Sequence, residues 1–307
     1  MLLQSGKAQT LRRGAYTLIE LLVVIAIIAV LISLTAAGVM KFLGKGNDVK
    51  VRSDITQLDL AIANFKQKFE VDYLPSTFTI PAMVNQADPN FAYLQKLFPK
   101  WMRSAAPNSP TGLTSRSLDG NQCLVFFLGG INSQGFSTSS SNPFAAVAAV
   151  GEPRIGPFFD FPMARIDPNG RFLDPWGLPY VYMTAINRGY GQSTLNGLLN
   201  GPGGPQSLLI QISGQPDKTV KIYPFVVSVQ NNVPRFANPS SHQIISGGAN
   251  GKTPPTSAGV VRGGIGQGSP VSGTTYQVWT PGTGEYGPGG VGGDDWSNFH
   301  ERILGAP

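Results

Sequence analysis

Sulfur, imidazole and charge are all scarce in this sequence. One cysteine, Cys123, and two histidines, His242 and His300, occur in 307 residues. No intramolecular disulfide can form, and a Cys/His zinc site lacks ligands. Charged residues make up 13% of the chain, about half the usual share, which excludes a coiled-coil rod and a charged disordered tail. The histidines are isolated, no G-x-S-x-G run occurs, and carboxylates are too sparse to choose a catalytic pair. An enzyme is therefore not expected, and a carbohydrate-binding or hydrolytic head is the minor reading. No cluster of Lys and Arg with interleaved aromatics is present to track phosphates, so nucleic acid is not an expected partner. Half of the formal charge of +6 comes from Lys7, Arg12 and Arg13 at the amino end. What the chain has in quantity is glycine (38), proline (25) and a 41% hydrophobic fraction, enough apolar side chain for one large domain or two small ones.

Leu21 to Val39 is a run of nineteen residues whose only polar members are Ser33 and Thr35. As a helix it is roughly 30 Å long, the thickness of a bilayer's hydrocarbon core. The basic residues precede it, which places the amino end in the cytoplasm and the chain after Lys41 outside. A cleaved secretory signal ending near Thr35-Ala36-Ala37 and a plain single-pass anchor both fit the run alone. Glu20 argues for something more specific. A carboxylate at the start of an apolar run costs a few kcal/mol if buried unpaired, so it demands a counter-charge.

The segment Arg12-Arg13-Gly14-Ala15-Tyr16-Thr17-Leu18-Ile19-Glu20-Leu21-Leu22-Val23-Val24 resembles the signal of type IV pilins and of the pseudopilins of type II secretion systems. The resemblance implies cleavage by a prepilin peptidase on the cytoplasmic side and N-methylation of the new amino terminus. A cut after Ala15 makes Tyr16 the methylated first residue and Glu20 the fifth; a cut after Gly14 makes Glu20 the sixth. It further implies a homo-oligomer, a helical filament built with other pseudopilins on an inner-membrane secretion platform, with the head in the periplasm. There the amino terminus of one subunit would meet Glu20 of its neighbour, neutralising both charges in a low dielectric and setting axial register. A type IV pilin of a surface fibre is the alternative within the same resemblance.

Beyond the apolar run, Val51, Ile55, Leu58, Ile62, Phe65 and Phe69 recur at spacings of four and three, one stripe of an amphipathic helix. Lys50, Arg52, Asp54, Asp59, Lys66 and Lys68 are read onto its other faces, Gly38, Gly44 and Gly46 as points of weakness, and Pro75 as its stop. The expected organisation is a leader (1–15), a transmembrane assembly helix (16–40), its amphipathic continuation (41–73) and a head (74–307). The expected fold is α+β and pilin-like: a long amino-terminal helix packed on a small antiparallel sheet, with a loop-rich, enlarged carboxy-terminal head.

Within the head, Cys123 to Leu128 suits a strand or a short buried helix, Ser137 to Asn142 an exposed loop, and Ser207 to Ile212 and Val220 to Val229 strands. Residues 77–170 are read as an insertion. Asp174-Pro175-Trp176-Gly177-Leu178-Pro179-Tyr180-Val181-Tyr182 is similar to the DPWGxPYxY segment of major pseudopilins, a turn leading into a core strand. The glycine-rich stretch 245–298 is similar to their calcium-binding loop. By that resemblance the ligands are the Ile245 carbonyl, Asn250, Asp294, Asp295 and Ser297, an oxygen-only set of the kind calcium takes. The residues alone also allow a solvated turn at Asp294 and Asp295, or a cap on a terminal helix from Trp296 to Ile303.

Overall fold

The computed structural model describes residues 17–101, 106–138, 142–145, 151, 153–186, 190, 208–212, 215–222, 224–231, 233–249, 271–272, 275–276, 279–281, 286, 292–304 and 306; for 34–44, 208–222 and 271–276 it describes the backbone alone. The chain divides into two compact units, Met1–Asn47 and Asp48–Pro307.

Helix α1, Leu18–Phe69, enters both units and stays helical through Gly38, Gly44 and Gly46. In the first unit twelve large apolar residues between Leu18 and Ile32 are all exposed, on every side of the helix. Among the described residues no helix is long and apolar enough to cross a membrane; the rest of the apolar run, from residue 34 on, has no described side chains. In the second unit the six stripe positions are buried. The helix stops before Pro75. Glu70 takes the left-handed conformation (φ 52°) and the Val71 amide donates to the Lys66 carbonyl at 3.1 Å, a Schellman-type ending made without glycine.

The second unit holds two cores divided by one sheet. Strands β5 (Val181–Thr184), β10 (His242–Ser246) and β13 (Trp296–Ser297) form an antiparallel sheet with β10 in the middle. Alternation along β5 sends Tyr180 and Tyr182 to one side and Val181 and Met183 to the other; Ile244 and Ile245 split in the same way on β10. The first core joins the α1 stripe to Phe78, Phe91, Phe127, Phe136 and Phe161. Its rings meet edge to face, as in Phe65–Phe158 (5.4 Å) and Phe69–Phe98 (5.3 Å), a geometry that favours one arrangement over others. Residues 77–170 therefore build the core beneath α1. The second core holds Phe225, Val226, Phe236, Tyr286 and Leu304.

Three sequence expectations are corrected here. Ser137 is buried in β3 (Phe136–Ser137), paired with β4 (Arg154–Ile155), rather than in an exposed loop. The stretch 220–229 is two strands, β7 (Gln215–Ile222) and β8 (Val226–Gln230), with Pro224 between them, since proline cannot donate to a ladder. Trp296 begins strand β13, and no helix follows among the described residues. Cys123 lies in helix α3 (Gly120–Leu124), which continues as a π-helical turn to Gly129. Asp119 and Gln122 close a capping box on α3. A Cβ at Gly120 would sit 2.1 Å from the Tyr182 carbonyl oxygen, so this close approach of helix and strand requires glycine.

Asp174 organises the turn into β5. Its Oδ1 accepts the Trp176 and Leu178 amides (3.0 and 2.9 Å), and its Oδ2 accepts the Ser246 hydroxyl of β10 at 2.8 Å. Burial raises its pKa against these hydrogen bonds. A carboxyl raised on folding favours the folded state below the window between its ordinary and its raised value, and loses that contribution as pH climbs through the window. Asp174→Asn preserves the turn's acceptor and removes the buried charge. We expect equal or higher stability than wild type at neutral pH and a flatter stability profile toward acid, read from denaturant unfolding across pH. Asp174→Ala leaves amides without an acceptor and is expected to cost about 1–3 kcal/mol.

Candidate functional site

The amino-terminal site is a local capping arrangement. Gly14, Ala15 and Tyr16 lie outside the described residues. Immediately after them, Thr17 caps α1: the Glu20 amide donates to Thr17 Oγ1 (3.3 Å), while Glu20 Oε2 accepts the Thr17 amide (2.8 Å) and hydroxyl (2.9 Å). This is the reciprocal capping box of a T-x-x-E sequence. Thr17-Leu18-Ile19-Glu20 carries the motif in sequence, a role for Glu20 distinct from the one the resemblance implies, at a neighbour's amino terminus. Within one chain the carboxylate already fixes the helix start, through Oε2.

At the other end of the chain, β10 and β13 bring Ile245 opposite Ser297 and Ser246 opposite Trp296. The residues before β13 fold against the end of β10: a Cβ on Gly248 (φ +62°) would lie 2.3 Å from the Asp294 carbonyl oxygen. Asp294, Asp295 and Ser297 are thus gathered beside Ile245 to Gly248. Oδ1 of Asp294, Oδ1 of Asp295 and Oγ of Ser297 are all buried, and Ser297 Oγ has no hydrogen-bond partner. A buried hydroxyl without a partner is costly. Together with two buried carboxylate oxygens it makes a hard, oxygen-only donor set that fits calcium. Asn250 lies outside the described residues. Ile245 sits in the middle strand, where its carbonyl faces a paired neighbour whichever way it points, so it is the weakest of the proposed ligands. Among the described residues no group of three or more His, Cys, Asp or Glu is placed to hold a metal; any ion here relies on hydroxyl and carbonyl oxygens beside the two carboxylates.

In the second unit, α1 is pinned to the head by two acidic residues, Asp54 and Asp59, expected from the sequence on the other faces of the helix. Asp54 is buried, its Oδ2 accepting from Arg165 Nη2 (2.7 Å) and from the Tyr180 hydroxyl (2.8 Å). Burial, and then the Asp54 charge, push the Tyr180 phenol far above its usual pKa, so it remains a donor. The Arg165 guanidinium also lies over the Phe172 ring at 4.5 Å. Five residues on, Asp59 Oδ1 meets His242 Nε2 at 2.6 Å and Asn298 Nδ2 at 3.1 Å. Ser241 Oγ lies 3.0 Å from His242 Nδ1. In the neutral tautomer with hydrogen on Nε2, the ring donates to Asp59 and accepts from Ser241. Asp54 lies three residues after Val51 and four before Leu58, a buried position by helical spacing. Its charge obscured that in the sequence.

The chain has no match among curated proteins and none among solved structures. Residues 11–36 match the family described as the prokaryotic N-terminal methylation motif. That segment spans Arg12 and Arg13, the expected cut, the Thr17–Glu20 cap and the exposed apolar start of α1, and the match indicates an amino terminus of the type IV pilin-like, prepilin-processed kind.

Proposed function

We propose that this chain is a pseudopilin, a structural subunit of a type II secretion system rather than an enzyme. In this reading a prepilin peptidase cuts after Ala15, Tyr16 is N-methylated, and α1 holds the subunit in the inner membrane with its head in the periplasm. Subunits then assemble through α1 into a periplasmic pseudopilus with other pseudopilins, and the filament drives protein export.

The observation that carries this reading is the all-round exposure of the apolar start of α1 behind a processing motif. A helix apolar on every side must be covered by lipid or by other helices. Burying one such side chain is worth about 1.5–3 kcal/mol. Twelve of them outweigh the cost of carrying one carboxylate along, provided that carboxylate finds a partner. The new amino terminus of an adjoining copy is such a partner, and Glu20 has Oε2 committed to Thr17 and Oε1 left to receive it. The Asp174-to-Tyr182 turn and the single cysteine favour the secretion branch over a surface pilin with a carboxy-terminal disulfide. Mass spectrometry of the mature amino terminus tests the reading directly. The expected result is an N-methylated Tyr16; a native chain that starts after Ala37, or keeps its leader, overturns it.

We also propose that the turn at Asp294, Asp295 and Ser297 binds calcium, with Asn250 completing the oxygen set. Saturating calcium, at a hundredfold over its dissociation constant, adds about 2.7 kcal/mol to the fold. The melting temperature is therefore expected to rise with calcium and fall with a chelator. Identical melting in the two conditions removes the ion from this account.

A further inference from the structure

Asn298 occupies a junction that neither the assembly helix nor the oxygen-rich turn explains alone. Its backbone amide donates to the Ile244 carbonyl (3.2 Å), and its side-chain Oδ1 accepts the Ile244 amide (2.9 Å). Strand β13 is only two residues long, and Asn298 extends its ladder by one step with side-chain atoms. The remaining amide hydrogens go elsewhere: Nδ2 donates to the His242 carbonyl (3.2 Å) and to Asp59 Oδ1 on α1 (3.1 Å). One side chain therefore ties the residue next to Ser297 to both β10 and the assembly helix.

The contact here combines packing with polar groups: Trp296 packs against the core that holds Ile55 and Leu58 of α1, beside the Asn298–Asp59 bond. A groove of about 250 Å³ runs along it, lined among others by Arg52, Thr56 and Asp59 of α1 and by Trp296, Ser297 and Asn298. Asp59 keeps 38% of its side chain exposed, in contrast to Asp54 at 11%. Beside that packing, hydrogen bonds to Asp59 hold α1 to the segment that follows Trp296. Asp59 Oδ1 receives two of them, one from His242 on the sheet and one from Asn298 beside the turn. The His242 bond depends on β10, which is fixed by strands on both sides. The Asn298 bond depends on β10 too, through Ile244 and His242, and on the 292–297 segment that leads into it.

We infer that Asn298 is the positioning residue that couples the order of the carboxy-terminal turn to the docking of α1, so that a turn fixed by an ion holds the helix more firmly than an empty one. This rests on the calcium reading above, and it adds a regulatory consequence: the ion acts on the assembly helix without touching it. The physical requirement is modest. An ordered turn removes the part of the conformational freedom that the bonds to β10 leave to Asn298 and that it would otherwise give up in reaching Asp59.

The test is hydrogen–deuterium exchange on the full-length protein in detergent, with calcium and with chelator, alongside calorimetric titration of calcium. In the wild type, calcium is expected to slow exchange several-fold both in residues 292–297 and in α1 around residues 55–62. In Asn298→Ala the turn keeps its calcium-dependent slowing while the helix loses it. Asp59→Ala, which cuts the same link from a half-exposed position on the other side, is expected to give the same pattern. A purely structural role would instead raise exchange in the helix equally with and without calcium. Retained calcium-dependent slowing of the helix in both variants overturns the coupling and leaves the ion site standing. Absence of calcium binding in the wild-type titration overturns the ion site and the coupling together.

Discussion

Asp54→Ala is expected to destabilise the head by about 3–5 kcal/mol, the cost of removing one partner from a buried ion pair. The variant strands the Arg165 guanidinium, whose side chain is 13% exposed, and takes the acceptor from the Tyr180 hydroxyl in the same step. Arg165 keeps its Nε hydrogen bond to the Leu173 carbonyl and its place over the Phe172 ring, neither of which replaces a counter-charge. Denaturant unfolding of the full-length protein in detergent measures the effect. The double variant Asp54→Leu with Arg165→Met removes both charges and fills the space, and is expected to recover most of the loss, because apolar replacements of a buried pair are often neutral. A single variant within 1 kcal/mol of wild type would mean that water reaches the pair and that α1 is held here by its apolar stripe alone.

Glu20 carries the second large effect. Glu20→Ala is expected to leave cleavage after Ala15 intact and to abolish incorporation into filaments, since the neighbour's amino terminus would then enter the helix bundle without a counter-charge. The capping box complicates that variant, because alanine also removes the acceptor for the Thr17 amide, worth about 1 kcal/mol of helix stability. Glu20→Gln separates the two roles. Glutamine keeps an oxygen for Thr17 and loses the charge, so it should cap the helix and still fail to assemble. Cross-linking or electron microscopy of filaments after sheared release reads the outcome. Normal filaments from the glutamine variant would show that the carboxylate serves only to start the helix, and the charge-pairing account would fall.

The two sites were unequally legible before the fold was known. The stripe from Val51 to Phe69 could be read because helical periodicity is a property of one segment and needs no partner to be recognised. The same holds for the Thr17–Glu20 box, a four-residue signature complete within one helical turn. Asp54 and Asp59 could not be placed, because a carboxylate reads as solvent-facing until Arg165, Tyr180, His242 and Asn298 arrive from more than a hundred residues away. His242 was isolated along the chain for that reason, and is in contact with two polar partners in space.

The helix end was within reach of local reading: the apolar stripe runs to Phe69 and α1 ends there, with Glu70 left-handed and Val71 and Leu74 buried in the first core. Other elements depended on partners. Ser137 was read as loop from its polar neighbours and is buried because β4 supplies a partner for its backbone.

The amino-terminal segment is legible without the fold: a basic leader, a processing motif, and a helix apolar on every side with one acidic residue at its start. These follow from composition and spacing over a few turns, which need no distant part of the chain to be recognised. Tertiary structure alone decided how the head is held. It placed one short sheet between two cores, buried Asp54 against Arg165, and brought Ser297 and Asn298 from the far end of the chain to β10 and α1. Those arrangements depend on which distant groups neutralise or accept from one another once water is excluded, and no local pattern encodes that choice.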